Sequence, residues 1–208
     1  TKQAARIISD VGNLYAQAYF SYSAKKSGGY TVSELRFAPT PVKAAYSITD
    51  ADYVACCKDV YVKRFRLARN LRQGGTFVLN CSWTPQQLDV ELPASLRREL
   101  ADKKARFYTI DAQAIAAEVG LGVRVNMIME TVFFHLTHAV SSDKAMAALK
   151  DEITRAYLHE GGEVVQKNLK AVDMAVASLR QVDIPDSWAG ATERVVSAAQ
   201  LPGGQPRY

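Results

Sequence analysis

The sequence predicts an α/β domain with a largely parallel or mixed sheet flanked by helices, followed by a cluster of C-terminal helices. Three observations carry this reading. Strand-like and helix-like segments alternate along the first two thirds of the chain. The run Thr76-Phe77-Val78-Leu79 is apolar at every position but its first, as a strand covered on both faces requires. From Val125 to Val182 the pattern is a succession of helices.

The elements follow in order. Ala4, Ala5, Ile7, Ile8 and Val11 recur at helical spacing, and Gly12-Asn13 is a stop. Tyr15 to Tyr22 and Tyr30 to Phe37 are strand-like runs around a short basic tip. That shortness suits an antiparallel pair, which would make the sheet mixed. Pro39 and Pro41 punctuate the exit, and Ala44 to Ile48 reads as a short strand. Asp50 to Asp52 make a turn before a strand at Tyr53 to Cys57. Val60 to Leu71 reads as a helix with Tyr61, Phe65, Ala68 and Leu71 on one side, ended by Gly74-Gly75. Thr76 to Leu79 is the apolar strand. Pro93 to Lys103 is a helix with Leu92, Leu96 and Leu100 four apart, and Arg106 to Ile110 is a strand. Asp111 caps the helix carrying Ile115, Ala116 and Val119. Gly120 and Gly122 bracket a turn. A very apolar helix spans Val125 to about Ala139. Ser142 or Asp143 caps the next, and Gly161-Gly162 breaks it. A last amphipathic helix covers Glu163 to Val182. The division expected is one α/β domain over 1–182, with its helical part at 124–182, and a linker-like tail over 183–208.

The totals bound the function. At 208 residues, 48% apolar and 23% charged, the chain is one medium globular domain. The net charge of +5 is spread along the sequence, and no helix carries a dense Lys/Arg face, so nucleic acid is not indicated. The three cysteines, Cys56, Cys57 and Cys81, form no disulfide framework and no CxxC, which fits a reducing cytoplasm. No apolar run approaches the ~20 residues of a membrane span, and no basic-then-apolar leader opens the chain. It starts Thr1-Lys2-Gln3, directly in a helical pattern, which suggests a piece of something longer.

Two loops have ligand chemistry. Lys25, Lys26, Ser27, Gly28 and Gly29 form the tip between the paired strands. Two ammonium groups and backbone N–H groups freed by glycine can surround an anion. A solvated turn is the alternative, since Lys and Gly are ordinary loop residues. The second loop, Asn80 to Trp83, lies beyond the carboxyl end of a parallel strand, where ligands of open α/β sheets sit. Asn80 can hydrogen-bond, Cys81 offers a thiol, Ser82 lies beside it and Trp83 can stack on a ring. These residues also serve as turn caps and packing. His135 and His138 lie three apart on a helix without an obvious third metal ligand, and two satisfied helix histidines is the reading. Neither GxGxxG nor GxxxxGK[ST] occurs.

Several segments, taken together and in order, resemble the gamma-type domain of long single-chain pyruvate:ferredoxin (flavodoxin) oxidoreductases. They are YAQAYFSYSAKKSGGYTVSELRF, ITDADYVAC, GGTFVLNCSW, ARFYTIDAQAIAAEVGL and RVNMIMETVFFHL. The resemblance runs from Thr1 to about Trp188. It implies a Rossmann-like fold and a piece of an enzyme that makes acetyl-coenzyme A, carbon dioxide and reduced ferredoxin or flavodoxin. It implies thiamine diphosphate and [4Fe-4S] clusters in other domains of a parent that forms a homodimer. For this domain it implies coenzyme A binding at Lys25 to Gly29, with Asn80, Ser82 and Trp83 nearby, together with inter-domain packing and no catalysis by the piece alone. A sister enzyme acting on another keto acid, or a scaffold without a ligand, are the alternatives. The resemblance also implies a strand and a glycine-rich turn before Thr1, neither of which is in this sequence. An open apolar slot favouring self-association is therefore expected.

Overall fold

The computed structural model describes residues 1–22 and 30–193. Its centre is a four-stranded sheet of order β3-β4-β5-β6. Strands β3 (Ala51–Cys56), β4 (Leu71–Asn80) and β5 (Arg106–Ile110) run parallel. The short β6 (Arg180–Val182) closes the edge antiparallel to β5. β4 alternates between two cores. Phe77 and Leu79 enter one with Leu88, Leu96, Leu100 and Phe107, while Val78 enters the other with Ile110, Ile115, Ile128 and Val132. Helices on both faces explain why no polar residue interrupts this strand between Thr76 and Asn80.

The paired strands β1 (Tyr15–Tyr22) and β2 (Thr31–Ala38) are antiparallel, in register Tyr15↔Ala38 to Tyr22↔Thr31. They form their own two-stranded sheet and do not join the central one, which is mixed through β6 instead. Leu35 and Phe37 face helix α1 (Lys2–Gly12), whose Ile7 and Ile8 are buried in a third core with Phe134, Leu149 and Ile153. Asn13 takes the left-handed conformation that stops α1. Among the described residues, the outer edges of β1 and β3 carry no ladder. Five side-chain polar atoms among the described residues, Gln17 Oε1, the Tyr53 hydroxyl, Arg97 Nε, Glu99 Oε2 and Glu130 Oε1, are buried without a partner.

Several expectations need correction. Ala44 to Ile48 is not a strand. Its backbone groups are taken by side chains: Ile48 N–H donates to Glu34 Oε2 at 3.1 Å, Asn70 Nδ2 donates to the Ile48 carbonyl at 2.9 Å, and Arg36 donates to the Tyr46 carbonyl. Val60 to Leu71 is not a helix. After a 3₁₀ turn at Asp59–Tyr61 the chain advances through irregular turns. Val62, Ala68 and Leu71 are buried rather than an i, i+3, i+4 stripe. The carbonyls of Ala68, Arg69 and Leu71 accept from Lys103 Nζ at 2.6 to 2.7 Å. Val60, Tyr61 and Val62 are also weak helix formers. Gly74 and Gly75 lie inside β4 rather than ending a helix. Gly74 has φ +67, and a Cβ on Gly75 would meet the Leu71 side chain at 2.7 Å.

A helix unforeseen in sequence, α2 (Pro85–Glu91), is set by a capping box between Thr84 and Gln87 with Pro85 at its first position. Helices α3 (Ala94–Asp102), α4 (Ala112–Glu118), α5 (Asn126–Thr137) and α6 (Ser142–Tyr157) follow near their expected places; the N-terminal boundary of α6 is Ser141, without a side-chain capping bond, rather than Ser142 or Asp143. The last, α7 (Gly162–Ser178), stops four residues short of expectation because Leu179 turns extended into β6. Beyond it, Trp188 is buried against Phe107 at 6.2 Å between ring centroids, and its indole N–H donates to Asp89. Residues 183–193 thus pack on the core, while 194–208 lie outside the described residues.

Candidate functional site

Three parallel strands end on the same side of the sheet, and Asn80 ties those ends together. It is buried at the last position of β4. Its Nδ2 donates to the Cys57 carbonyl just past β3, at 3.0 Å, and its Oδ1 accepts from Ala112 N–H at the start of α4, at 2.9 Å. Beside it, Cys81 N–H donates to the Ile110 carbonyl at 2.9 Å. Asp111 caps α4 by accepting from Ala114 N–H at 2.9 Å. The Asn80 amide therefore spends one donor and its acceptor on the frame of the site.

The thiols around this frame are quiet. Cys56 and Cys81 are buried, and burial pushes each up to about 11, although Cys56 Sγ donates to the Lys58 carbonyl at 3.0 Å. Cys57 alone is exposed.

Trp83, half-buried, lines a cleft of about 280 Å³ with Asp59, Val60, Lys63 and Glu91. Lys63 Nζ bridges to Glu91 Oε2 at 2.6 Å, and Asp59 Oδ1 accepts from Val60 N–H at 2.7 Å. Ser82 is exposed beside this cleft without lining it. Asp59, Lys63 and Glu91 were missed as site residues. Lys63 lies in the segment that reads as a helix over Val60 to Leu71, and Glu91 lies on α2, a helix the hydrophobic pattern does not predict. The T-P-Q-Q pattern at Thr84 to Gln87 was the signal that would have found that helix.

The basic tip, Lys25, Lys26, Ser27, Gly28 and Gly29, lies outside the described residues. Tyr30, which follows it, is described. Its ring packs on Phe65 at 4.5 Å between centroids, tilted by 53°. Phe65 in turn meets Tyr61 at 5.6 Å. The segment from Asp59 to Phe65 therefore borders the return strand of the tip on one side and the Trp83 cleft on the other.

His135 lies in the last turn of α5, and His138 caps that helix in the left-handed conformation. Among the described residues, no three His, Cys, Asp or Glu side chains are placed to hold a metal ion, and no helix is long and apolar enough to cross a membrane.

A family described as pyruvate ferredoxin/flavodoxin oxidoreductase matches residues 1–178. The chain is 42% identical over 196 residues to the pyruvate:ferredoxin oxidoreductase of Moorella thermoacetica, covering 94% of this chain and 17% of that protein. It is 44% identical over 200 residues to the pyruvate-flavodoxin oxidoreductase of Klebsiella pneumoniae, covering 96% of this chain and 17% of that protein. The chain thus spans a small part of the relatives it matches. In structure it is similar to a pyruvate oxidoreductase subunit of Thermotoga maritima, with a TM-score of 0.67 at 14% identity over 88% of this chain and 89% of that one. It is also similar to part of the 2-oxoglutarate:ferredoxin oxidoreductase of Magnetococcus marinus, solved with 2-oxoglutarate, coenzyme A and succinyl-CoA bound. There the TM-score is 0.56 at 18% identity, over 92% of this chain and 29% of that one. These two structural likenesses speak to the fold.

Proposed function

The chain belongs to the pyruvate ferredoxin/flavodoxin oxidoreductase family, and from that premise we propose that it is the domain of a larger oxidoreductase that contributes coenzyme A binding and inter-domain packing. The parent reaction on this reading decarboxylates pyruvate, joins the acetyl group to the coenzyme A thiol and passes two electrons to ferredoxin or flavodoxin. Thiamine diphosphate supplies the decarboxylation chemistry from another domain. The [4Fe-4S] clusters also belong elsewhere. Such a cluster takes about four thiolates, whereas this chain has three cysteines, two of them buried with thiols pushed up to about 11.

This domain's part is recognition. Lys25 and Lys26 supply positive charge to the coenzyme A phosphates. Ser27, Gly28 and Gly29 supply a hydroxyl and closely approachable backbone N–H groups. The supporting observation is the Tyr30–Phe65 contact, which sets the strand leaving the basic tip against the segment that lines the Trp83 cleft. The three free thiols are in keeping with a reducing, cytoplasmic setting for the parent, read here as a homodimer. Titrating coenzyme A against the chain by calorimetry tests the site. Saturable binding that Lys25→Ala plus Lys26→Ala weakens at least tenfold is expected. Binding unchanged by those substitutions would reject the tip.

A second reading, an assembly domain without its own ligand, draws on the exposed aromatic surface of the hairpin. Tyr15 and Tyr19, on one face of β1, are 53% and 58% exposed, and Tyr22, on its other face, is 71% exposed. Under it, the lysine substitutions alter domain assembly and leave coenzyme A usage untouched.

A further inference from the structure

We propose that the cleft at Trp83 seats the adenine ring of coenzyme A and reads the ring's exocyclic amine with the carboxylates of Asp59 and Glu91. The inference rests on the coenzyme A reading above and names which end of that molecule lies here. Size is the first argument. At about 280 Å³ the cleft falls just below the roughly 300 to 1,000 Å³ of sites that hold a whole drug-sized ligand. It holds one ring system and not the whole coenzyme. Charge is the second. The lining carries two carboxylates and one ammonium, and that ammonium already bridges to Glu91 at 2.6 Å. An excess of negative charge repels the phosphates and the keto-acid carboxylate, and it favours a neutral group that donates hydrogen bonds.

Shape and edge chemistry agree. Trp83 offers a ring face, and Val60, 57% exposed, offers apolar surface beside it. Adenine presents an amino donor next to a ring-nitrogen acceptor. Asp59 spends one oxygen on Val60 N–H and Glu91 one on Lys63, so each carboxylate keeps an oxygen for the amine. Lys63 keeps N–H groups for the ring nitrogen. With the adenine so placed, the anionic parts of the coenzyme must extend outward, toward cationic groups beyond the cleft.

The two tryptophans make this measurable in the 208-residue chain. Trp188 is 2% exposed, so a ligand stacking in the cleft quenches Trp83 alone. Adenosine, which lacks the phosphates and the pantetheine arm, is the probe. Saturable quenching is expected, with inosine and guanosine binding at least tenfold more weakly. Calorimetry is expected to show adenosine affinity falling about tenfold or more in Trp83→Ala and in Asp59→Asn plus Glu91→Gln, and largely kept in Trp83→Phe, which preserves stacking. Absence of adenosine binding, or inosine or guanosine binding as tightly as adenosine, overturns the adenine seat. Coenzyme A titrated in parallel separates the two claims: a chain that binds coenzyme A but not adenosine loses the seat and keeps the coenzyme site.

Discussion

The side-chain oxygen of Asn80 accepts a hydrogen bond from the backbone N–H of Ala112 at 2.9 Å. That bond joins the end of the central strand to the start of α4. The same side chain's Nδ2 holds the Cys57 carbonyl beyond β3 at 3.0 Å. One buried amide thus sets the spacing of three loops at the carboxyl ends of the parallel strands. Replacing it by alanine leaves the Ala112 N–H and the Cys57 carbonyl without their side-chain partner. Asn80→Ala is expected to cost about 2 to 4 kcal/mol, since each buried unpaired group costs about 1 to 3 kcal/mol. In a domain of this size that lowers the melting temperature by about 2 to 4 °C per kcal/mol. Calorimetric unfolding checks it.

The strap after β6 carries a second expectation. Trp188 is 2% exposed, packs at a tilt against Phe107 and donates to Asp89. Arg98 donates to the Ala191 carbonyl from α3. Trp188→Ala should therefore behave as a core truncation and cost about 3 to 5 kcal/mol. Urea unfolding would show the midpoint falling with little change in slope. A midpoint within error of the parent chain would mean that the strap is dispensable.

The buried thiols give the chain an alkaline limit. Burial raises Cys56 and Cys81 to about 11 from an ordinary 9.0. Below pH 9 both states keep these thiols protonated, and their contribution to stability does not change. Between about pH 9 and 11 the unfolded chain ionises first and holds fewer protons, so stability falls as pH rises through that window. Unfolding measured at neutral pH and at two points in that window should show this loss. Cys56→Ala plus Cys81→Ala should reduce it, leaving the part carried by Cys57 and by the buried Tyr53 hydroxyl, both of which burial also raises. At neutral pH an alkylating reagent should modify exposed Cys57 before the other two.

Much of this architecture is written locally. The paired strands β1 and β2, the apolar core of β4, the Asp111 cap and the Gly120 and Gly122 turn each depend on residues near one another in sequence. Each is found near where pattern reading puts it, and both glycines have positive φ. The departures are set by distant partners. Lys103, at the C-terminal end of distant α3, gathers the carbonyls of Ala68, Arg69 and Leu71 and so holds the end of this segment as irregular turns. Glu34 and Asn70 take the backbone groups that would have made Ala44 to Ile48 a strand. Strand β6 exists because β5 offers an edge, not because Arg180-Gln181-Val182 favours one. The Trp83 cleft was half legible. Trp83 itself stands out, but Asp59, Lys63 and Glu91 converge on it only through the fold.

The central claim, that this domain helps the parent oxidoreductase hold coenzyme A, is most directly tested by steady-state kinetics of the full-length enzyme carrying Lys25→Ala and Lys26→Ala. A KM for coenzyme A raised tenfold or more, about 1.4 kcal/mol of lost binding, with the KM for pyruvate unchanged, is the predicted result. An unchanged KM for coenzyme A in a correctly assembled enzyme would contradict it.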